Sequence, residues 1–165
     1  MSGVTDSAED LRELYRELIL DHARSPRHFG KLDGMTHFAE GINPLCGDKL
    51  RLYLKVSEKQ IIDDARFEGT GCAISVASAS LLTDTVAGMH IDEALDFFSV
   101  VVGRLVNHQD KSTTQSTAAK SIPDIGKLQA LEGVKEFPSR VKCATLAWHA
   151  MNSALQQLEP TVSTE

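Results

Sequence analysis

The apolar positions of this chain change period twice, and the changes divide it into elements. From Ser7 the residues Leu11, Leu14, Tyr15, Leu18, Ile19 and His22 recur at helical spacing, which predicts an amphipathic helix with Ser7 as N-cap and Arg24-Ser25-Pro26 as its stop. Gly30, Gly34 and Gly41 punctuate the next stretch, in which Thr36 to Ile42 has extended character and Asn43-Pro44-Leu45-Cys46-Gly47-Asp48 reads as a turn. Leu50, Leu52, Leu54 and Val56 then alternate with Arg51, Tyr53 and Lys55. After Ser57-Glu58-Lys59 the residues Ile61, Asp63, Ala65 and Phe67 alternate in the same way, so an antiparallel hairpin is expected.

The helical period returns behind Gly69-Thr70-Gly71-Cys72, with Ile74, Ala77, Ser78, Leu81, Leu82 and Thr85, and this places Cys72 at a strand-to-helix junction. A further helix is expected from Asp92-Glu93 through Leu95, Phe98, Val101, Val102 and Leu105, its acidic first turn suiting the helix dipole. A short apolar piece around Ile125, Leu128 and Leu131 precedes Gly133 and Pro138. The last helix follows, with Val141, Ala144, Trp148, Met151 and Leu155 inward and Cys143 in its first turn. Residues 107–123 are rich in Ser, Thr, Gln and Lys without apolar period and read as a polar insertion. Residues 1–7 and 160–165 are expected to fray. The expectation is one α+β domain over residues 1–165, a small three-stranded antiparallel sheet packed on one side by about five helices.

Composition narrows the function classes. The 165 residues are 42% hydrophobic, enough for one buried core, and 23 acidic against 17 basic residues give a net charge of -6. That balance supplies no broad positive field, so nucleic acid is not an expected partner. Met1 to Asp10 is polar and acidic rather than basic then apolar, and no apolar run approaches the roughly 18 residues of a membrane span. A cytoplasmic protein with no membrane partner is expected. Its three cysteines are odd in number and far apart, a poor disulfide framework but a reason to ask about metal.

All three cysteines fall beside glycine or at an expected helix start, where thiolate pKa is lowered and free N–H groups can bond sulfur. Taken singly, each reads as a small buried hydrophobe. Taken together at element junctions, they read as ligands. Cys46 and Asp48 flank a single glycine, so both donors can turn toward one ion, although Asp48 alone reads equally as a strand-entry residue bonding local N–H groups. The gaps from Cys46 to Cys72 and on to Cys143 match no zinc-finger spacing, and any shared site must be assembled by tertiary folding. Cys46, Asp48, Cys72 and Cys143 would then supply four ligands to a tetrahedral ion, three of them soft, which favours zinc or iron-sulfur chemistry over magnesium or calcium. The histidines are expected to be packing or surface residues: His22 lies on an apolar helix face, His28, His37, His90 and His108 are scattered, and His149 is nearly two turns beyond Cys143. Arg140 and Lys142 flank Cys143 as thiolate stabilisers, partner contacts or ordinary surface charge. The glycines before Cys72 lack the Gly-Lys-Ser/Thr ending of a phosphate loop, and no nucleophile elbow is present.

Four separated blocks carry a family resemblance. Leu14-Tyr15-Arg16-Glu17-Leu18-Ile19-Leu20-Asp21-His22, Asn43-Pro44-Leu45-Cys46-Gly47-Asp48, Phe67-Glu68-Gly69-Thr70-Gly71-Cys72-Ala73-Ile74-Ser75 and Phe137-Pro138-Ser139-Arg140-Val141-Lys142-Cys143-Ala144 resemble the IscU/NifU-like iron-sulfur cluster assembly proteins. The likeness covers about residues 8 to 158. Lys142 stands before Cys143 where the IscU branch has a histidine, and an extra segment precedes the last helix, so the chain looks like the SufU branch. That resemblance implies zinc held by Cys46, Asp48, Cys72 and Cys143. It implies Cys46 as the acceptor of persulfide sulfur from a SufS-like cysteine desulfurase, with delivery to a downstream iron-sulfur scaffold. In that scheme a desulfurase residue replaces Cys46 on the ion and frees its thiolate. The alternatives are a scaffold carrying a transient iron-sulfur cluster or iron on the same ligands, and a structural zinc interaction module. A sulfurtransferase-like accessory of a desulfurase fits four protein ligands better than an independent hydrolytic zinc enzyme, which needs an open position for water.

Overall fold

Leu50, Leu52 and Leu54 leave one face of a central strand and are almost fully buried, while Lys49, Arg51 and Lys55 leave the other face for solvent. This two-residue alternation decides where the helices pack. The structure, a computed structural model, describes residues 3–44, 46–106, 128, 130, 131, 134, 137–157 and 161–163, with side chains from Leu14 onward. Strand β2 (Asp48–Val56) pairs antiparallel with β1 (His37–Asn43) on one side and β3 (Ile62–Thr70) on the other. The helices among the described residues are α1 (Gly3–Arg24), α2 (Ala73–Val86), α3 (Ile91–Val106) and α4 (Pro138–Gln156). Helix α4 lies against β1 and β2, and α2 lies against β3.

The sheet is not the three-stranded antiparallel one that the alternation predicts. A short strand β4 (Thr161–Ser163) runs parallel to β1 opposite Glu40, Gly41 and Ile42, giving a four-stranded mixed sheet in the order β3-β2-β1-β4. The described helices number four rather than about five. Part of the tail expected to fray is therefore held. Gln157 ends α4 in a left-handed conformation, and the chain behind it meets the backbone groups of β1 that have no other strand to pair with. Three residues carry no readable alternation, so this strand had no signature in the sequence. The polar insertion at residues 107–123 and Ile125 lie outside the described residues, while Leu128 and Leu131 of the short apolar piece are buried in the core.

Two phase errors have local causes. The β2–β3 register shifts between Lys55, opposite Asp64, and Val56, opposite Ile62. Asp63 is thereby left as a bulge residue, and Ile62 rather than Ile61 turns into the core with no exposure. In α1, Ile19 and His22 are buried and Tyr15 and Leu18 half-buried, whereas Leu14 is 65% exposed. Helix α1 packs chiefly on α2, which needs a narrower apolar seam than a helix lying on a sheet. It also begins at Gly3, so Ser7 lies inside the helix rather than at its cap.

Helix α2 is buried almost all round, through Ser75, Ala77 to Thr83 and Val86, because α1 and α4 flank it. Its serines take their polar partners with them into the core. The Ser78 hydroxyl donates to the Ala144 carbonyl at 2.5 Å and accepts the Trp148 indole N–H at 3.1 Å, pinning α2 to α4. The Ser80 oxygen accepts the Arg27 backbone N–H at 2.8 Å and lies 2.7 Å from Nδ1 of His22, pinning α2 to α1. Helix α3 closes the far side with Ala94, Phe97, Val101 and Leu105 inward. Phe97 stacks on Trp148, and Phe98 meets the edge of His149.

Two outcomes follow from this packing. Gly69 has a φ of +144°, and a Cβ there would fall on the Lys49 carbonyl and 2.8 Å from Cα of Leu50. Gly69→Ala should cost about 3 kcal/mol in urea unfolding. Burial holds the His149 imidazole below its ordinary range, so folding excludes a proton that the unfolded chain binds. The stability this residue contributes is present above about pH 6.5 and is lost as pH falls. Between pH 7 and 5 the melting temperature of the protein in the presence of chelator should fall more steeply than that of His149→Phe, read by circular dichroism.

Candidate metal centre

Three chain junctions finish at one end of the sheet: the turn from β1 to β2, the loop from β3 to α2, and the start of α4. In the first, the Asn43 carbonyl accepts the N–H groups of Cys46 at 3.3 Å and Gly47 at 2.8 Å. Gly47 takes a φ of +75°, a left-handed position that glycine enters without strain. The turn lifts Cys46 into solvent and returns Asp48 to the ladder opposite Asn43, where its side chain is 1% exposed.

Asp48 reaches across to the second junction. Its Oδ1 accepts the backbone N–H of Cys72 at 2.9 Å, a contact between segments and not the local turn bond a strand-entry aspartate would make. Its Oδ2 is buried with no hydrogen-bond partner among the described residues. A Cβ on Gly71 would lie 2.7 Å from Oδ1 and collide with the Ser75 hydroxyl, so glycine is what lets carboxylate and loop approach. Cys72 caps α2, and the Ser75 hydroxyl donates to its carbonyl at 3.0 Å. The Cys72 sulfur is half-buried, 3.9 Å from the Ser75 oxygen.

The third junction is α4. Pro138 opens the helix after Phe137, where a missing N–H costs nothing, and Cys143 therefore sits in the second turn rather than the first. It is fully buried. Its sulfur lies 3.4 Å from that of Cys46 and accepts a bond from Nδ2 of Asn43 at 3.5 Å. The donor atoms of Cys46, Asp48 and Cys143 all fall within 4.8 Å of one another. The structure thus gathers three of the four expected ligands. Cys72 docks its backbone on Asp48 but turns its sulfur toward Ser75.

The electrostatics of this corner are unfavourable without a cation. Burial, first, and then Asp48, Cys46 and Cys72 push the Cys143 thiol far above its ordinary range. That corrects the expectation of a lowered pKa at every junction cysteine, because an interior helical position lacks the free N–H groups of a helix start. Among the described residues, Arg140, exposed in the first turn of α4, brings a cation to this corner, its guanidinium raised by the charge of Cys72 and by bonding and charge from Cys143. Two sulfurs about 2.3 Å from one tetrahedral ion stand about 3.8 Å apart, close to the Cys46–Cys143 separation. An unpaired buried carboxylate oxygen beside two sulfurs is what such an ion would satisfy. Soft sulfur donors suit zinc or iron over magnesium or calcium.

None of the described histidines joins this group. His22 bonds Ser80, His28 and His90 lie near Asp84 and Asp92, and His149 packs on Phe98; His108 lies outside the described residues. Sequence reasoning passed over Asn43, Gly71 and Ser75. Asn43 and Gly71 sit inside the very hexapeptide and glycine cluster that were singled out, but a turn-forming role was sufficient explanation for both. Among the described residues, no helix is long and apolar enough to cross a membrane.

Comparison with known proteins converges on one group. A family model described as the NifU-like N-terminal domain matches residues 14–144. The chain is 39% identical over 150 residues to a zinc-dependent sulfurtransferase SufU of Bacillus subtilis (strain 168), covering 91% of this chain and 95% of that one. It is also 39% identical over 150 residues to an iron-sulfur cluster assembly scaffold protein IscU of Streptococcus pyogenes serotype M1, covering 89% and 86%. Among solved structures, a SUF-system protein of Fervidobacterium islandicum AW-1, described as a candidate iron-sulfur cluster assembly scaffold, superposes with a TM-score of 0.71 at 30% identity over 84% of this chain and 94% of that one.

The buried, half-paired Asp48 makes a measurable prediction about the metal-free fold. Asp48→Asn can keep the bond from the Cys72 N–H while removing a buried negative charge. It should raise the stability of metal-stripped protein at pH 7 by about 1 kcal/mol in urea unfolding; a destabilised variant would show that the charge is already compensated by the protein.

Proposed function

The chain belongs to the family of NifU-like N-terminal domains, and we propose that it serves iron-sulfur cluster assembly as a zinc-dependent sulfur acceptor for a cysteine desulfurase. Cys46, Asp48, Cys72 and Cys143 would hold the ion. Three of these donors already stand together, and Cys72, whose bonding and charge already act on Cys143, would be the fourth. The observation that carries the acceptor role is the exposure of Cys46. It is the one cysteine open to solvent, Cys143 being buried and Cys72 half-buried, yet its sulfur is in contact with the buried cluster.

Bound zinc supplies one thing to this chemistry: it keeps the sulfurs deprotonated at neutral pH. The transfer itself needs only Cys46. Its thiolate attacks the outer sulfur of a persulfide on the desulfurase cysteine, a new S–S bond forms on Cys46 as the donor's S–S bond breaks, and the electron pair leaves with the desulfurase thiolate, which takes up a proton. One S–S bond replaces another, so no external oxidant or reductant is consumed. The sulfur then passes to a downstream iron-sulfur scaffold by the same exchange. Arg140, exposed beside Cys72 and Cys143, offers a positive charge at the mouth of the site.

A second reading is favoured by the scaffold named among the relatives at equal identity: a transient iron-sulfur cluster on the same four side chains. Iron and acid-labile sulfide in protein isolated without oxygen would support the scaffold, and zinc alone would support the relay. For the relay, Cys46→Ala should retain zinc at reduced affinity, since three ligands remain, while stimulation of cysteine turnover by a cysteine desulfurase falls to the unstimulated rate. The measurements are metal content and alanine release. Unchanged stimulation with zinc still bound would remove Cys46 as acceptor.

A further inference from the structure

We propose that Asn43 is a positioning residue for the Cys143 sulfur, its side-chain amide donating to a metal-bound thiolate while its backbone carbonyl holds the Cys46 turn. The inference rests on the metal reading above and adds to it a residue that is not itself a ligand. Asn43 is fully buried. Its Nδ2 lies 3.5 Å from Sγ of Cys143, and its carbonyl accepts from Cys46 and Gly47. One residue therefore touches the two sulfurs' supports from both ends, across a sequence separation of 100 residues.

The other half of the amide shows what the arrangement is for. Oδ1 of Asn43 is buried and has no partner among the described residues, a costly state for an amide oxygen. An asparagine serving only the turn would be replaced at no loss by an apolar side chain of the same shape. The amide is worth retaining if its N–H end meets a strong acceptor, and a thiolate is one where a thiol is not. Which end of the amide faces sulfur follows from the same chemistry: a deprotonated sulfur only accepts, so it selects the NH2 end. Bonds of this kind tune how strongly a ligand sulfur donates to its metal. Here the bond acts on the buried Cys143 and leaves Cys46, the exposed sulfur, without side-chain support from Asn43. That difference would leave Cys143 anchored while Cys46 exchanges.

Asn43→Leu is the informative variant, because it keeps the branched heavy-atom skeleton, removes the unpaired Oδ1 and removes the N–H bond to sulfur together; the backbone carbonyl that holds the Cys46 turn is retained. Full-length protein is loaded with Co(II) alone, and its visible and near-ultraviolet spectra are read. Zinc-loaded protein is challenged separately with excess chelator. The variant should keep the d–d bands of a tetrahedral ion and the melting temperature of metal-stripped wild type. Its sulfur-to-cobalt charge-transfer band should move to lower energy, and it should release zinc about tenfold faster. Asn43→Ala should show the same band shift and provides the reading if the leucine variant misfolds. Identical charge-transfer energy and zinc release in a folded variant would overturn the role of Asn43 while leaving the metal site standing. Absence of any thiolate charge transfer in wild type would overturn the metal reading and this inference with it.

Discussion

The hydrogen bond from the Cys72 backbone N–H to Oδ1 of Asp48 is the constraint on which the site depends. It ties the first residue of β2 to the cap of α2, two points 24 residues apart, and it fixes the height at which β3 must leave the sheet. Gly69 and Gly71 allow the loop to lie that close. Helix α4 is brought to the same corner from the other side by Ser78, whose hydroxyl is shared between the Ala144 carbonyl and the Trp148 indole. With α2 held at its start by Asp48 and along its length by α4, the sulfur of Cys143 has one place to go.

That corner concentrates polar cost. Oδ2 of Asp48 and Oδ1 of Asn43 are both buried without partners among the described residues, and the Cys143 thiol is driven strongly toward its neutral form. Elsewhere the fold is careful with polar groups. The buried serines of α2 find carbonyl, indole and imidazole partners, and the outer face of the sheet pairs its own charges, with Arg51 against Glu40 and Tyr53 bonded to Glu68. Among the described residues, two of the three buried side-chain polar atoms without a hydrogen-bond partner fall in this one cluster of sulfur and carboxylate, Nε of Arg66 being the third, and a cluster left so is one that a bound ion would satisfy.

Exposure then divides labour within the cluster. Cys143 is enclosed by α4 and Asn43, Asp48 is enclosed by Gly71 and the Cys72 loop, and Cys46 alone stands on a turn open to solvent. A site with buried ligands and one exposed sulfur can exchange that sulfur without dissolving the fold. The proposed relay would draw on this division, with Cys46 as the exchanging sulfur.

Much of this was legible in the chain itself. Period-two alternation identified β2 and its hairpin, period 3.6 identified the helices, and three cysteines and an aspartate at element junctions were enough to nominate one site, because hydrophobic period and turn chemistry are local properties. What failed was whatever depended on the other side of a contact. The bulge at Asp63 is set by pairing with β2, the exposure of Leu14 by how narrow a seam α2 offers, and β4 by the free edge of β1. The turning of the Cys72 sulfur toward Ser75, the raised Cys143 thiol and the part played by Asn43 belong to the same class. A side chain's type is written in the sequence, but its burial, its partner and its charge state are properties of pairs of segments, and only the folded chain decides which segments meet.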